Sequence, residues 1–281
     1  MERIAVIGAG TMGNGIAHVF IQKGFKVNLI DTQATALEKA VSTIEKNMDR
    51  QISKGVITLE EKLAALTNLF TYTSIEEGVP AADLVIEAAT ENSTIKESIF
   101  TKIDKFAKPA AIIASNTSSI SIAQLAAATQ RPEKVIGMHF MNPVPVMKLV
   151  EIINCNATDP NVTEEIVALT KKINKIPCVV KDFPGFIANR ILMPMINEAI
   201  IAYSEGVSDV ETIDQIMKLG MAHPMGPLQL ADYIGLDVCK SILDIMYKGF
   251  GNTKYSPCAL LVQMVEEGKL GVKTGEGFYK Y

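Results

Sequence analysis

The N-terminal stretch narrows the fold more than any other part of the chain. Ile4-Ala5-Val6-Ile7 reads as a buried strand, and it runs into Gly8-Ala9-Gly10-Thr11-Met12-Gly13 before a helical pattern over 14–23. Strand, Gly-x-Gly-x-x-Gly turn and helix in that order form a dinucleotide cradle. The first glycine permits the tight turn and the second lets a pyrophosphate approach the backbone. The third lets the helix pack closely, and the helix N-terminus offers unpaired N–H groups and a positive dipole end. A second strand, 26–30, ends in Asp31, at the distance expected of the acid that takes the adenosine ribose hydroxyls. A carboxylate there repels a ribose 2′-phosphate, so the expected cofactor is NAD rather than NADP. Gly8, Gly10, Thr11, Met12, Gly13 and Asp31 are the candidate contacts.

The cradle implies a particular continuation, and the chain supplies it. Segments 68–73, 83–88 and 111–115 read as further strands with helices between them, an alternation that predicts an α/β, Rossmann-type, doubly wound and mostly parallel sheet. A strand ending at His139, a strand bearing Glu151, a helix over 162–173 and a strand over 176–180 complete it. Lys181-Asp182-Phe183-Pro184-Gly185 marks a boundary. Beyond it 186–204, 209–219, 228–247 and 257–267 all read as helices, punctuated by glycine and proline. The expected domains are 1–183, binding the cofactor and carrying the catalytic residues, and an all-helical 184–281. Ile187, Ile191, Leu192, Met195 and Ile196 offer more apolar surface than a small bundle needs, which points to a homodimer through the helical domain.

Composition removes several alternatives. Hydrophobic residues make up 48% of 281, ample for a core, and the net charge of −4 with interspersed signs gives no footing for nucleic acid or bulk membrane. Any anion site must therefore be local. The four cysteines lie far apart, with no Cys-x-x-Cys pair and no histidine at metal-ligand spacing, so no metal is expected and the thiols read as reduced core residues. Met1-Glu2-Arg3 runs straight into the first strand and leaves no room for a signal peptide, which with the thiols suggests a cytoplasmic protein.

Of the three histidines, His18 reads as a plain helix or core residue and His223, before Pro224, as a loop residue. His139 differs. It closes a short apolar run, Pro143 and Pro145 follow it, and ligands of open α/β sheets gather at such strand ends. Glu151, alone among Leu149, Val150, Ile152 and Ile153, would be costly there if charged and unpaired. A strand placed beside His139 gives it a partner, and a carboxylate on one imidazole nitrogen leaves the other to act as a base. Asn116-Thr117-Ser118-Ser119 gathers more hydroxyls than one helix cap uses, and a hydroxyl and an amide suit a carbonyl oxygen that gains charge. Glu91 and Lys96 stand where a strand end meets a helix start, facing the nicotinamide half of a cofactor. An amphipathic helix over 35–54 carries Lys46, Arg50 and Lys54 every four residues, a face able to hold the phosphates of a second nucleotide-like ligand.

With these motifs in order, the sequence resembles the L-3-hydroxyacyl-CoA dehydrogenase family, and within it the stand-alone bacterial branch that acts on 3-hydroxybutyryl-CoA. The likeness runs from end to end. It rests on the glycine loop, Ser115-Asn116-Thr117-Ser118-Ser119, His139-Phe140-Met141-Asn142-Pro143-Val144-Pro145, the run from Asp182 to Arg190, and Lys273-Thr274-Gly275-Glu276-Gly277-Phe278-Tyr279. The resemblance implies His139 as catalytic base, Glu151 as its orienting partner, and Ser118 and Asn189 as contacts of the substrate oxygen. It implies Asp31, Glu91, Lys96, Asn116, Ser118, Asn142 and Lys273 as cofactor contacts, and Asn47, Arg50 and Lys54 as a coenzyme A site. The implied reaction interconverts (S)-3-hydroxybutanoyl-CoA and acetoacetyl-CoA with NAD, in short-chain fatty acid or butyrate metabolism. A broader-chain enzyme of β-oxidation and a non-catalytic NAD-binding structural protein are the other readings.

Overall fold

Apolar runs that alternate with amphipathic stretches fold here as successive strand and helix pairs. In the computed structural model, which describes residues 1–281, the order begins β1 (Arg3–Ile7), α1 (Thr11–Ile21), β2 (Lys26–Ile30), α2 (Ala34–Ser53), α3 (Leu59–Leu66), β3 (Leu69–Tyr72), α4 (Ile75–Gly78) and β4 (Leu84–Glu87). It continues with α5 (Ser93–Phe106), β5 (Ile112–Ser115), α6 (Ile122–Ala126), β6 (Val135–Phe140), β7 (Leu149–Asn154), α7 (Pro160–Lys172) and β8 (Ile176–Lys181). These strands form one eight-stranded sheet in the order β3-β2-β1-β4-β5-β6-β7-β8. All neighbours are parallel except β6 and β7. Residues 141–148 are too few for the crossover that a parallel neighbour requires, so β7 returns antiparallel.

From β1 the chain winds outward to β2 and β3, then crosses back to β4, β5 and β6, so the winding reverses between β1 and β4. Ligands of open α/β sheets bind in the crevice outside such a switch point. The glycines there are required by packing. A Cβ on Gly13 would sit 1.7 Å from the Gly8 carbonyl oxygen, and one on Gly8, whose φ is +99°, would sit 2.6 Å from that of Ala88. The core holds Ile4, Val6, Phe20, Leu29 and Ile86, each contributing about 1.5–3 kcal/mol by burial. From α2 come Leu37, Ile44 and Met48, with Ala40, while Val41 is only half-buried.

The contact pattern separates Met1–Asp182 from Phe183–Tyr281. The second unit consists of α8 (Ala188–Ser204), α9 (Val210–Gly220), α10 (Pro227–Ile234), α11 (Leu236–Phe250) and α12 (Ala259–Glu266), around Met193, Ile196, Leu228, Leu243, Met246 and Leu261. The single helix expected over 228–247 is two, because Gly235 takes φ +102°, outside the helical region. Isolated bridges, Gly271 with Glu276 and Glu276 with Lys280, fold the C-terminal tail where no strand pairing was expected. The cysteine reading also needs correction: Cys155 and Cys239 are buried, but Cys178 is exposed because it lies on the edge strand β8. No helix is long and apolar enough to cross a membrane.

Candidate active site

The glycine loop leaves a place for a dinucleotide. A Cβ on Gly10 would meet nothing within 4 Å, so the turn is open to an approaching group just where the loop enters α1. Asp31 braces the loop: Oδ2 accepts the Ala9 N–H at 2.8 Å and Oδ1 accepts the Gln33 N–H at 3.0 Å. A carboxylate has about four acceptor positions, so two remain for ribose hydroxyls. Beside it lies a cavity of about 440 Å³ whose walls, mostly apolar, include Gly8, Asp31, Ile75, Ala89, Ile95 and Lys102. An adenosine fits that chemistry. Ile95, Ile99 and Lys102 escaped the sequence reading although their spacing marks one face of α5, and the fold leaves the apolar Ile95 48% exposed there.

At the ends of β4 and β5 charged and hydroxyl groups interlock. Lys96 is only 1% exposed, and its ammonium lies 2.7 Å from both oxygens of the fully buried Glu87 and 3.5 Å from Glu91. The resemblance implied Lys96 as a cofactor contact; its side chain lies buried at the end of β4, paired to an acid that reads as an ordinary strand residue. Glu91 Oε1 accepts from Thr117 Oγ1 at 2.7 Å, the Ser118 N–H at 2.8 Å, and the hydroxyls of Ser118 and Ser119 at 3.0 Å. Burial pushes the Glu91 carboxyl up, but Lys96 and these hydrogen bonds outweigh it and hold the group below its ordinary value.

His139 and Glu151 are directly opposite residues of the antiparallel pair β6–β7. Cross-strand partners stand a few ångströms apart on one face, so the register alone brings them together. His139 Nδ1 and Glu151 Oε2 are 2.8 Å apart, with the residues 8% and 3% exposed. A carboxylate on Nδ1 fixes the tautomer with hydrogen on that nitrogen and directs proton exchange to Nε2. Asn116 joins this strand end to the hydroxyl loop, since its Oδ1 accepts the Phe140 N–H at 2.9 Å. Asn142 follows in a turn that Lys175 pins through the carbonyls of Val144 and Met147.

The face of α2 nearest the glycine loop frames a second cavity of about 400 Å³, with Gly10, Thr11, Lys39, Thr43, Asn47 and Asn142 among its walls. Arg50, exposed one turn further on, lies 3.5 Å from Asn47 through Nη1, and Lys54 ends the helix, also exposed. Lys46 is not among the walls, although Lys39, seven residues before it and within about 20° of the same face, is. Lys39 and Thr43 were not foreseen.

Comparison with known proteins identifies the family. The family model for the NAD-binding domain of 3-hydroxyacyl-CoA dehydrogenases matches residues 3–183, and that for the C-terminal domain matches 185–281. The chain belongs to the 3-hydroxyacyl-CoA dehydrogenase family. Its members are NAD-dependent oxidoreductases. A 3-hydroxybutyryl-CoA dehydrogenase of Bradyrhizobium diazoefficiens is 52% identical over 281 residues, 100% of this chain and 96% of the relative. The mitochondrial hydroxyacyl-coenzyme A dehydrogenase of Homo sapiens is 42% identical, covering 100% and 91%. The crystal structure of (S)-3-hydroxybutyryl-CoA dehydrogenase from Ralstonia eutropha superposes with a TM-score of 0.97 at 47% identity, covering 100% and 99%.

Two residues singled out by the resemblance to 3-hydroxyacyl-CoA dehydrogenases lie in the helical unit. Asn189 is buried in the first turn of α8. Lys273, exposed in the C-terminal tail, is ion-paired to Asp237 at the start of α11. No group of three or more His, Cys, Asp or Glu side chains gathers in a form that could hold a metal ion.

Proposed function

We propose that this chain interconverts (S)-3-hydroxybutanoyl-CoA and acetoacetyl-CoA, with His139 as general base in the oxidation and general acid in the reduction. The observation that carries the reading is the 2.8 Å contact between His139 Nδ1 and Glu151 Oε2 at the carboxyl edge of a sheet whose first strand ends in the nucleotide loop. Bound NAD supplies the hydride acceptor. In oxidation His139 Nε2 takes the proton of the 3-hydroxyl, and Glu151 stabilises the imidazolium that forms; reduction returns the proton by the same atom. Ser118 donates to the substrate oxygen as charge gathers on it, and the family likeness adds Asn189 as a further donor. The cavity between α2 and the glycine loop takes the coenzyme A chain, with Asn47, Arg50 and Lys54 toward its phosphates. The name carried by the Bradyrhizobium and Ralstonia relatives supports the four-carbon substrate.

The exposed apolar side chains Ile191, Leu219 and Met221 of the helical unit support a homodimer, and we place the enzyme in the cytoplasm in butyrate or short-chain fatty acid metabolism. The test is consumption of NADH and, in parallel, NADPH with acetoacetyl-CoA, longer 3-ketoacyl-CoA esters and free acetoacetate. NADH with acetoacetyl-CoA is the expected best pair. Equal rates on the long esters favour the broader β-oxidation role, and no consumption with any ester overturns the assignment.

A further inference from the structure

Glu87 is the last residue of β4, in register with Ile7 of β1 and Ser115 of β5, so it lies directly under the crevice where the winding reverses. It is fully buried. Oε1 accepts from Lys96 Nζ and from the Ala89 N–H, both at 2.7 Å, while Oε2 accepts from Lys96 Nζ and the Ser115 hydroxyl, also at 2.7 Å. A carboxylate in such a place is tolerated only when paired and hydrogen-bonded, and an apolar pair of the same volume would often serve stability as well. The four bonds to Glu87 go instead to the two segments that follow β4 and β5.

Both segments lead to Ser118. Along one route Glu87 holds Lys96, which reaches Glu91, which accepts the Ser118 N–H and hydroxyl. Along the other Glu87 orients the Ser115 hydroxyl, whose oxygen accepts the Thr117 N–H at 3.1 Å. The charges also alternate along the first route. Glu91 by itself would set a negative charge 3.0 Å from the Ser118 oxygen and oppose charge on any substrate oxygen bound there; the ammonium between the two acids lessens that opposition, and the three groups together keep one negative charge.

We propose that Glu87 is a positioning residue: it touches neither substrate nor cofactor, and acts by holding Lys96 and Ser115 so that the loop carrying Ser118 is fixed where its hydroxyl, whose one proton goes to Glu91 in this structure, turns to the substrate oxygen. The proposal rests on Ser118 being the donor to the substrate oxygen. The first arm of the test is a double-mutant cycle on acetoacetyl-CoA reduction by NADH, using wild type, Glu87→Gln, Ser118→Ala and the double variant, with thermal melting to check folding. Glu87→Gln is expected to lower kcat about tenfold and leave the KM for acetoacetyl-CoA within about twofold, and the double variant is expected to fall within about twofold of Ser118→Ala alone. Losses that multiply overturn the proposal. The second arm is amide hydrogen exchange, in which Glu87→Gln is expected to speed residues 116–119 about tenfold without moving β1 or β6. Unchanged exchange at 116–119 overturns the proposal whatever the wild type turns over, so a failure of the acetoacetyl-CoA assignment is separable from a failure of this one. If Glu87→Gln does not fold, Glu87→Gln with Lys96→Met replaces it under the same expectations, because it leaves no unpaired buried charge.

Discussion

His18 and His139 are both buried, at 0% and 8% exposure, and both belong to the sheet-bearing unit, yet the fold gives them opposite chemistry. His18 lies inside α1, where neither ring nitrogen meets hydrogen-bond geometry. Burial pushes it down to about 4, against a smaller upward pull from the Gln51 side chain, so at neutral pH it is an uncharged ring filling space. His139 lies at a strand end with a carboxylate on Nδ1, which makes an imidazolium tolerable and leaves proton exchange to Nε2. Burial alone therefore silences a histidine; burial with a registered acid, at the open edge of the sheet, prepares it for proton transfer.

The largest effect expected of a variant tests that contrast directly. His139→Gln should lower kcat for acetoacetyl-CoA reduction by about 10²–10⁴, the usual worth of a placed acid–base, while NADH binding followed by fluorescence stays near wild type. His18→Leu in the same assay should leave kcat within about twofold, since a neutral buried ring takes no part in proton transfer. A His139→Gln variant that turned over normally would place the base elsewhere. Next comes Glu151→Gln, which keeps the shape but removes the charge that stabilises the imidazolium; kcat should fall by about 10²–10³. A kcat within about twofold of wild type, measured at matched stability, would reduce Glu151 to a core residue.

The distinction between the two histidines was legible in the sequence because it depends on local pattern. His18 sits inside an amphipathic helix run; His139 sits at the last positions of an apolar strand with prolines after it and a lone acid in the next strand. The cradle was equally plain, since Gly8, Gly10, Gly13 and Asp31 answer to steric needs of one short βαβ unit. What escaped depends on distance across the fold or carries no local mark. Glu87 reads as a strand residue, and only the packing of α5 onto β4 shows that it holds Lys96. Lys39 and Thr43 line the second cavity, and nothing in the spacing of α2 sets them apart from its other polar residues. Gly235 has no local mark that separates a tolerated helix glycine from a break at φ +102°.

A third way to sharpen the comparison uses pH. The folded-state value of His18 lies near 4, against 6.5 for the free side chain, so between those values the unfolded chain binds the extra proton. The stability that this group contributes is complete above pH 6.5 and is lost as pH falls toward 4, on the order of 3 kcal/mol in all. Urea unfolding followed by circular dichroism at pH 7 and pH 4.5 should show a smaller drop for His18→Leu than for wild type. Equal drops would mean that His18 finds a partner or water when charged.

The smallest expected effect concerns the outer ligand rather than the reacting atoms, and it separates two cations of one helix. Arg50 stands one turn from Asn47, which lines the cavity, and is exposed and within 3.5 Å of the Asn47 oxygen, whereas Lys46, four residues from Arg50 on nearly the same face, makes no such contact. An exposed cation on a phosphate acts through screened attraction, so Arg50→Ala should raise the KM for acetoacetyl-CoA about fivefold with kcat unchanged, and added salt should shrink the difference. Lys46→Ala loses the same formal charge at the same distance along the sequence from Arg50 as Lys54, yet should leave KM within about twofold. If both changes raised KM equally, net positive charge near the groove, and not the contact of Arg50 with Asn47, would govern how the coenzyme A ester is held.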